Sequence, residues 1–194
     1  MPSSESQASD AFRRIGERGR FKGKFFGVVT GTFVGPDGFM FEREIVRHPG
    51  AVCAVPLEDD GRHVIMVRQY RGAVEEPVLE LPAGKRDVAE EDPAVCVARE
   101  LVEEIGREAG RLSEVARFYN SPGFTDEETI CYLAEDLRQV EREAHGIEEE
   151  HLVVERIDLS ELEDFVFSGR LIDAKSIIGL FAARAAISRR TPGA

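Results

Sequence analysis

The sequence predicts an α+β or α/β/α layered domain, preceded by a small N-terminal β appendage. Three observations carry this. Short apolar runs bounded by Gly, Pro and Asp clusters recur through residues 21–157, as strands do. One amphipathic helical pattern interrupts them at 92–105, and two more close the chain at about 160–168 and 174–189. The length of 194 residues suits one domain with an appendage. Strands interrupted and then followed by helices argue for layers around a shared core.

Taken in order, residues 1–20 are rich in Ser, Glu, Arg and Gln and read as a mobile tail. Residues 21–48 carry Phe, Val and Thr runs around Pro36-Asp37-Gly38, a turn in which Pro fixes one φ and Gly supplies a positive one. They read as a β appendage of two or three strands. His48-Pro49-Gly50 opens the main domain, taken as 49–190. Runs at 51–56 and 63–67, joined by Glu58-Asp59-Asp60-Gly61, read as a hairpin. Further strands are expected at 78–82, 115–119, 129–134 and 152–157.

Charge and composition exclude some classes of function. Acidic residues number 37 against 25 basic ones, a formal net charge of -12, which opposes nucleic-acid and anionic-membrane binding. No apolar run nears the roughly 20 residues a bilayer requires. Cys53, Cys96 and Cys131 are sparse and odd in number, unlike a disulfide framework or zinc site. A soluble, cytoplasmic protein is expected.

Residues 92–106 hold the chemistry. Asp92 is a good N-cap, Pro93 suits the first turn, and Gly106 can supply the left-handed residue that ends the helix. Ala94, Val97, Ala98, Leu101 and Ile105 share one apolar face, while Glu100, Glu103 and Glu104 gather on the other side. Glu100 and Glu104, four apart, repel by a few tenths of a kcal/mol. Solvent or a divalent cation must compensate, and Mg²⁺ takes a few carboxylate oxygens while keeping several waters.

Upstream lies Leu81-Pro82-Ala83-Gly84. The string runs Gly84, six residues, Glu91, seven residues, Arg99-Glu100-Leu101, one residue, Glu103-Glu104, one residue, Gly106. It resembles the Nudix box, with a first gap one residue longer than usual and Arg107 at the final aliphatic position. Glu90 would restore the first gap and lengthen the second. A chance match of seven specified positions has a probability of roughly 10⁻⁴ or less. The resemblance implies an α+β fold, the Nudix α/β/α sandwich of mixed sheet between helices, and a pyrophosphate hydrolase for a nucleoside diphosphate linked to another group. It further implies Glu100 and Glu104 as main metal ligands, Glu103 adding to the site, and a backbone carbonyl from Ala83. Arg99 is implied to orient a catalytic glutamate; the residues alone equally allow a surface ion pair with Glu103. Bound Mg²⁺ would invert the local negative field and let an acidic protein hold a pyrophosphate; Mn²⁺ accepts the same oxygen donors.

Val67-Arg68-Gln69-Tyr70-Arg71, Glu80-Leu81-Pro82-Ala83-Gly84 and Ser121-Pro122-Gly123-Phe124-Thr125-Asp126-Glu127 together resemble the ADP-ribose pyrophosphatase branch. In that branch a proline lies about fifteen positions past the box, as Pro122 does. The branch implies Mg²⁺-dependent cleavage of ADP-ribose to AMP and ribose 5-phosphate. It implies Arg71 as a substrate contact, apt for bidentate phosphate binding, with Glu80 orienting it or capping a strand. Ser121, Pro122 and Gly123 would form a rigid loop near the terminal ribose, and Glu127 a weaker contact. A glutamate from the acidic loop Glu148-Glu149-Glu150 would bind metal or act as base; Glu150 fits best and Glu149 is the runner-up.

His48, His63, His145 and His151 show no ligand spacing on a shared element and read as surface or structural, and Cys96 as packing. The branch also implies an intertwined homodimer, with the appendage helping to build the partner's adenine pocket and Arg43 reaching across. The five phenylalanines at 25, 26, 33, 39 and 41 agree, being hard to bury in so short a segment. Rival readings are another ADP-sugar or GDP-mannose as substrate, and a sensor that binds ADP-ribose without cleaving it.

Overall fold

The computed structural model describes residues 11–143 and 150–190. The strands are β1 (Arg13–Lys22), β2 (Gly27–Val34), β3 (Met40–Arg47), β4 (Ala51–Pro56), β5 (His63–Arg71), β6 (Glu76–Glu80), β7 (Ala83–Lys85), β8 (Arg107–Tyr119), β9 (Glu128–Gln139) and β10 (Val153–Asp158). The helices are α1 (Pro93–Ile105), α2 (Leu162–Phe167) and α3 (Ala174–Arg190), with a 3₁₀ turn at Leu159–Glu161. No helix among the described residues is long and apolar enough to cross a membrane.

The chain forms two compact units. The first holds an antiparallel sheet in the order β1-β2-β3, together with the loop Tyr119–Glu127. That loop is pinned to β3 by backbone and side chain. The Val46 amide donates to the Phe124 carbonyl at 2.8 Å, and Asp126 accepts from the His48 amide at 2.9 Å and from Arg47 at 2.8 Å.

Strand β1 corrects the expected tail over 13–20; residues 1–10 lie outside the described residues. Its ten residues, Arg-Arg-Ile-Gly-Glu-Arg-Gly-Arg-Phe-Lys, are exposed throughout. Backbone pairing to β2 holds it, from Arg13 opposite Val34 to Lys22 opposite Gly27. A strand wet on both faces has no alternating apolar signal to read.

The second unit carries two sheets, β10-β5-β6 and β7-β4-β9-β8. Strands β4 and β9 run parallel, with Cys53 opposite Cys131, and α1 lies in the crossover between them. Alternation along β4 feeds two cores. Val52 and Ala54 join Val97, Leu101 and Ile105 of α1, while Cys53 and Val55 join Leu171, Leu180 and Ala183 beneath α3. Helices therefore cover both faces of the β4–β9 pair, as the α/β/α expectation requires. Each fully buried aliphatic side chain contributes about 1.5–3 kcal/mol.

Candidate active site

The ends of α1 form as its sequence dictates. Asp92 accepts a hydrogen bond from the Ala94 amide at 2.8 Å, and Gly106 sits at φ 61°, ψ 45°, where glycine meets no Cβ penalty. Between these caps the apolar stripe packs on the sheet. The opposite face is withdrawn from water, Glu100, Glu103 and Glu104 being only 8%, 9% and 4% exposed, and at Glu100 and Glu104 it meets β7. A solvated acidic face is thereby excluded.

Two contacts dock this acidic face. The Ala83 amide donates to Glu104 Oε2 at 3.1 Å. Gly84 lies directly under Glu100: a Cβ there would stand 2.0 Å from both Cδ and Oε1 of the carboxylate. Only glycine leaves room for that side chain. Strand β7 is itself held against β4, Ala83 opposite Cys53 and Gly84 opposite Val52.

Arg99 ties the carboxylates together. Its Nη1 donates to Glu100 at 3.0 Å and to Glu103 at 3.1 Å, while its Nη2 reaches Glu91 at 3.3 Å. Partial burial lowers the guanidinium pKa, but these carboxylates outweigh it and the net shift is upward. Hydrogen bonds from Arg99 hold the Glu91 carboxyl below its ordinary value despite some desolvation. In the loop Glu90 takes φ 62°, and the residue after it, Glu91, is the one that meets Arg99. Cys96, fully buried behind this face, has its thiol pushed up to about 12 by burial and by Glu91.

A second charged group stands at the C-terminal end of β5. Glu80, 2% exposed, receives Arg71 in a fork: Nε to Oε1 at 2.7 Å and Nη2 to Oε2 at 2.8 Å. Burial raises the Glu80 pKa, yet Arg71 and Lys175 more than offset it and the net shift is downward. Glu104 adds to the field that raises the Arg71 pKa, so the two groups feel each other.

The remaining candidates are placed as follows. Glu150 is exposed, two residues before Leu152, which is buried in the core beside Val97 and Leu101 of α1. Glu148, Glu149 and His145 lie outside the described residues. Arg43, Ser121, Pro122, Gly123 and Glu127 belong to the first unit. There Arg43 stacks over the Phe41 ring at 4.6 Å, the Ser121 carbonyl accepts the amides of Phe124 and Thr125 at 3.1 and 3.0 Å, and Glu127 lies 3.8 Å from His48.

Glu58, Asp60 and His63 also gather, at the β4–β5 turn. Arg156 donates to Glu58, and to Asp60 at 2.7 Å, so this is an ion-pair knot. Sequence reasoning passed over Lys175 and Ser176, which meet Glu80 and Leu81 from the start of α3, and Asp173, which binds both of them. Their only sequence signal is an Asp at a helix start, which reads as an ordinary cap.

The NUDIX domain family model matches residues 47–176. The chain belongs to the NUDIX family. Its Nudix fold also matches the crystal structure of an ADP compounds hydrolase, with a TM-score of 0.80 over 94% of this chain and 97% of that one, at 22% identity. The chain is 38% identical over 156 residues to the ADP-ribose pyrophosphatase of Bacillus subtilis (strain 168), covering 80% of this chain and 83% of that protein. It is 36% identical over 179 residues to the ADP-ribose pyrophosphatase of Mycobacterium tuberculosis (strain ATCC 25618 / H37Rv), covering 92% and 86%. Nudix hydrolases generally use a divalent metal. In this Nudix chain the box residues form the carboxylate face of α1, the glycine beneath it and the arginine that binds it together.

Proposed function

We propose that this Nudix pyrophosphohydrolase cleaves the diphosphate of ADP-ribose to AMP and ribose 5-phosphate in the cytoplasm. The observation that carries the reading is the buried carboxylate face of α1, seated on Gly84 and laced by Arg99. The ADP-ribose pyrophosphatase relatives, matched over most of their length, support the substrate.

The donor set fits a hard cation. Glu100 and Glu104 with the Ala83 carbonyl, and Glu103 alongside, offer the oxygen ligands that Mg²⁺ and Mn²⁺ take, and Gly84 puts no side chain where the Glu100 carboxylate lies. A divalent ion bound there would offset phosphate charge and make an attacking water more acidic. Arg99 keeps Glu100 and Glu103 in place through the cycle. Arg71, held in plane by Glu80, receives a phosphate oxygen on the part of its fork that Glu80 leaves open. Glu150 takes the proton of the water that attacks phosphorus. The bridging P–O bond breaks, and the departing phosphate keeps the bridging oxygen.

The first unit supplies the remaining contacts in a homodimer. Ser121, Pro122 and Gly123 face the terminal ribose with Glu127 nearby, and Arg43 reaches the adenine side of the partner's site. The exposed Phe12, Phe21, Phe25, Phe26, Phe39 and Met40 support a partner surface over this unit.

Turnover of ADP-ribose by the purified chain, with Mg²⁺ and then with excess chelator, tests the reading by separating AMP chromatographically. AMP with the ion and none with the chelator is the expected result. No AMP under either condition refutes it.

A further inference from the structure

The structure assigns Lys175 and Asp173 a positioning role: they fix the Glu80 carboxylate, and through it the Arg71 guanidinium, in the orientation that meets a substrate phosphate. This deepens the reading of Arg71 as a substrate contact and rests on it.

The geometry is a continuous chain of hydrogen bonds. Glu80 Oε2 accepts from Arg71 on one side and from Lys175 Nζ on the other. Lys175 Nζ also donates to Asp173 Oδ2 at 3.0 Å. The same Asp173 oxygen accepts from the Ser176 amide at 3.0 Å and its hydroxyl at 2.5 Å. Ser176, fully buried, accepts in turn from the Leu81 amide at 2.7 Å. The first turn of α3 thus grips both ends of the segment from Glu80 into Leu81, immediately before Pro82, Ala83 and Gly84.

Physical reasons make Lys175 matter to Arg71. The fork sets the guanidinium and the carboxylate in one plane, but the pair can still swing together about the softer torsions of the two side chains. Lys175, bonded to Glu80 Oε2, anchors that plane to the start of α3. The Lys175 side chain is 14% exposed and that of Glu80 3%, so this ammonium is withdrawn from water, a cost repaid by carboxylates on two sides. The side chain of Arg71 stays 38% exposed, which leaves part of its fork accessible to a ligand. A network that only braced α3 would alter stability and leave substrate affinity alone.

Steady-state kinetics of the full chain on ADP-ribose test this with Arg71→Ala, Lys175→Met and the double variant. Lys175→Met is expected to raise KM about tenfold with a smaller fall in kcat. In the Arg71→Ala background the same change is expected to move KM less than about twofold, because its effect passes through the missing guanidinium. Lys175→Arg, which keeps the charge, is expected to restore most of the affinity. Should Lys175→Met fail to melt cooperatively, Lys175→Gln carries the same expectation. An unmoved KM in the single variant, or equal increments in both backgrounds, overturns the assignment while ADP-ribose turnover by the wild type stands. A wild type inactive on ADP-ribose overturns the substrate reading, and this assignment with it.

Discussion

Replacing Gly84 by alanine adds one methyl carbon where the structure has none to spare. The new Cβ would stand 2.0 Å from Cδ and Oε1 of Glu100 and 2.5 Å from its Cγ. Carbon atoms in contact settle near 3.5 Å, so the carboxylate must retreat by about 1.5 Å. The obstacle is the far end of a flexible side chain, so the backbone of β7 can stay paired with β4. Alanine also narrows the unfolded ensemble, worth about 0.4–1 kcal/mol where the native backbone tolerates it. The melting temperature should therefore change by no more than about 4 °C. The proposed metal site has no such slack, because metal–ligand distances tolerate about 0.2 Å. A misplacement of this size costs of order 10²-fold or more in rate. ADP-ribose turnover at saturating Mg²⁺ should fall by about 10² to 10³, and titration calorimetry with Mn²⁺ should show weakened binding. A Gly84→Ala enzyme turning over within about threefold of wild type would refute the claim that Glu100 must occupy the space above Gly84.

Three further outcomes are expected. Glu104→Gln keeps an oxygen for the Ala83 amide but loses the negative charge proposed to hold the ion, so turnover should drop by about 10² or more with the melt little changed; turnover at the wild-type rate would show that the carboxylate charge is idle. Arg99→Leu removes the hydrogen bonds that hold Glu91 below the ordinary value of 4.5. A depressed carboxylate stabilises the fold above its unfolded pKa and loses that contribution as pH falls through the folded one. The melting-temperature gap between wild type and Arg99→Leu should accordingly be widest near neutrality and close as pH drops below about 4.5; a gap constant with pH contradicts the pairing. Sedimentation should give twice the chain mass of 21.6 kDa, and Phe39→Ser with Met40→Ser should shift the species toward monomer; a wild-type monomer sinks the dimer.

Much of the site was legible because its information is local. The caps of α1, Asp92 and Gly106, sit next to the residues they serve, and the 3.6-residue period placed the three glutamates together. The same period misleads about their surroundings. A polar face opposite an apolar stripe ordinarily faces water, whereas here a three-residue strand covers it. The strand is too short to carry a pattern, and what betrays it is Gly84, a residue defined by the missing side chain that would strike Glu100. The loop register was likewise ambiguous by spacing. The structure pairs Glu91 with Arg99, just after a left-handed backbone at Glu90.

What stayed hidden depends on long-range pairing. Glu80 and Lys175 are 95 positions apart, and nothing near either announces the other. A carboxylate only 2% exposed must find cations. Sequence offers Arg71 nine positions away across the β5–β6 hairpin, and there the local argument stops with a plausible pair. The second cation arrives with α3, whose own apolar residues Leu180 and Ala183 dock in the core shared by Val55 and Leu133. The packing of that helix therefore decides where Lys175 points. Core burial and the electrostatics around Arg71 are thus coupled in this fold. Substitutions deep under α3 should reach the KM for ADP-ribose by tilting the helix that brings Lys175 to Glu80.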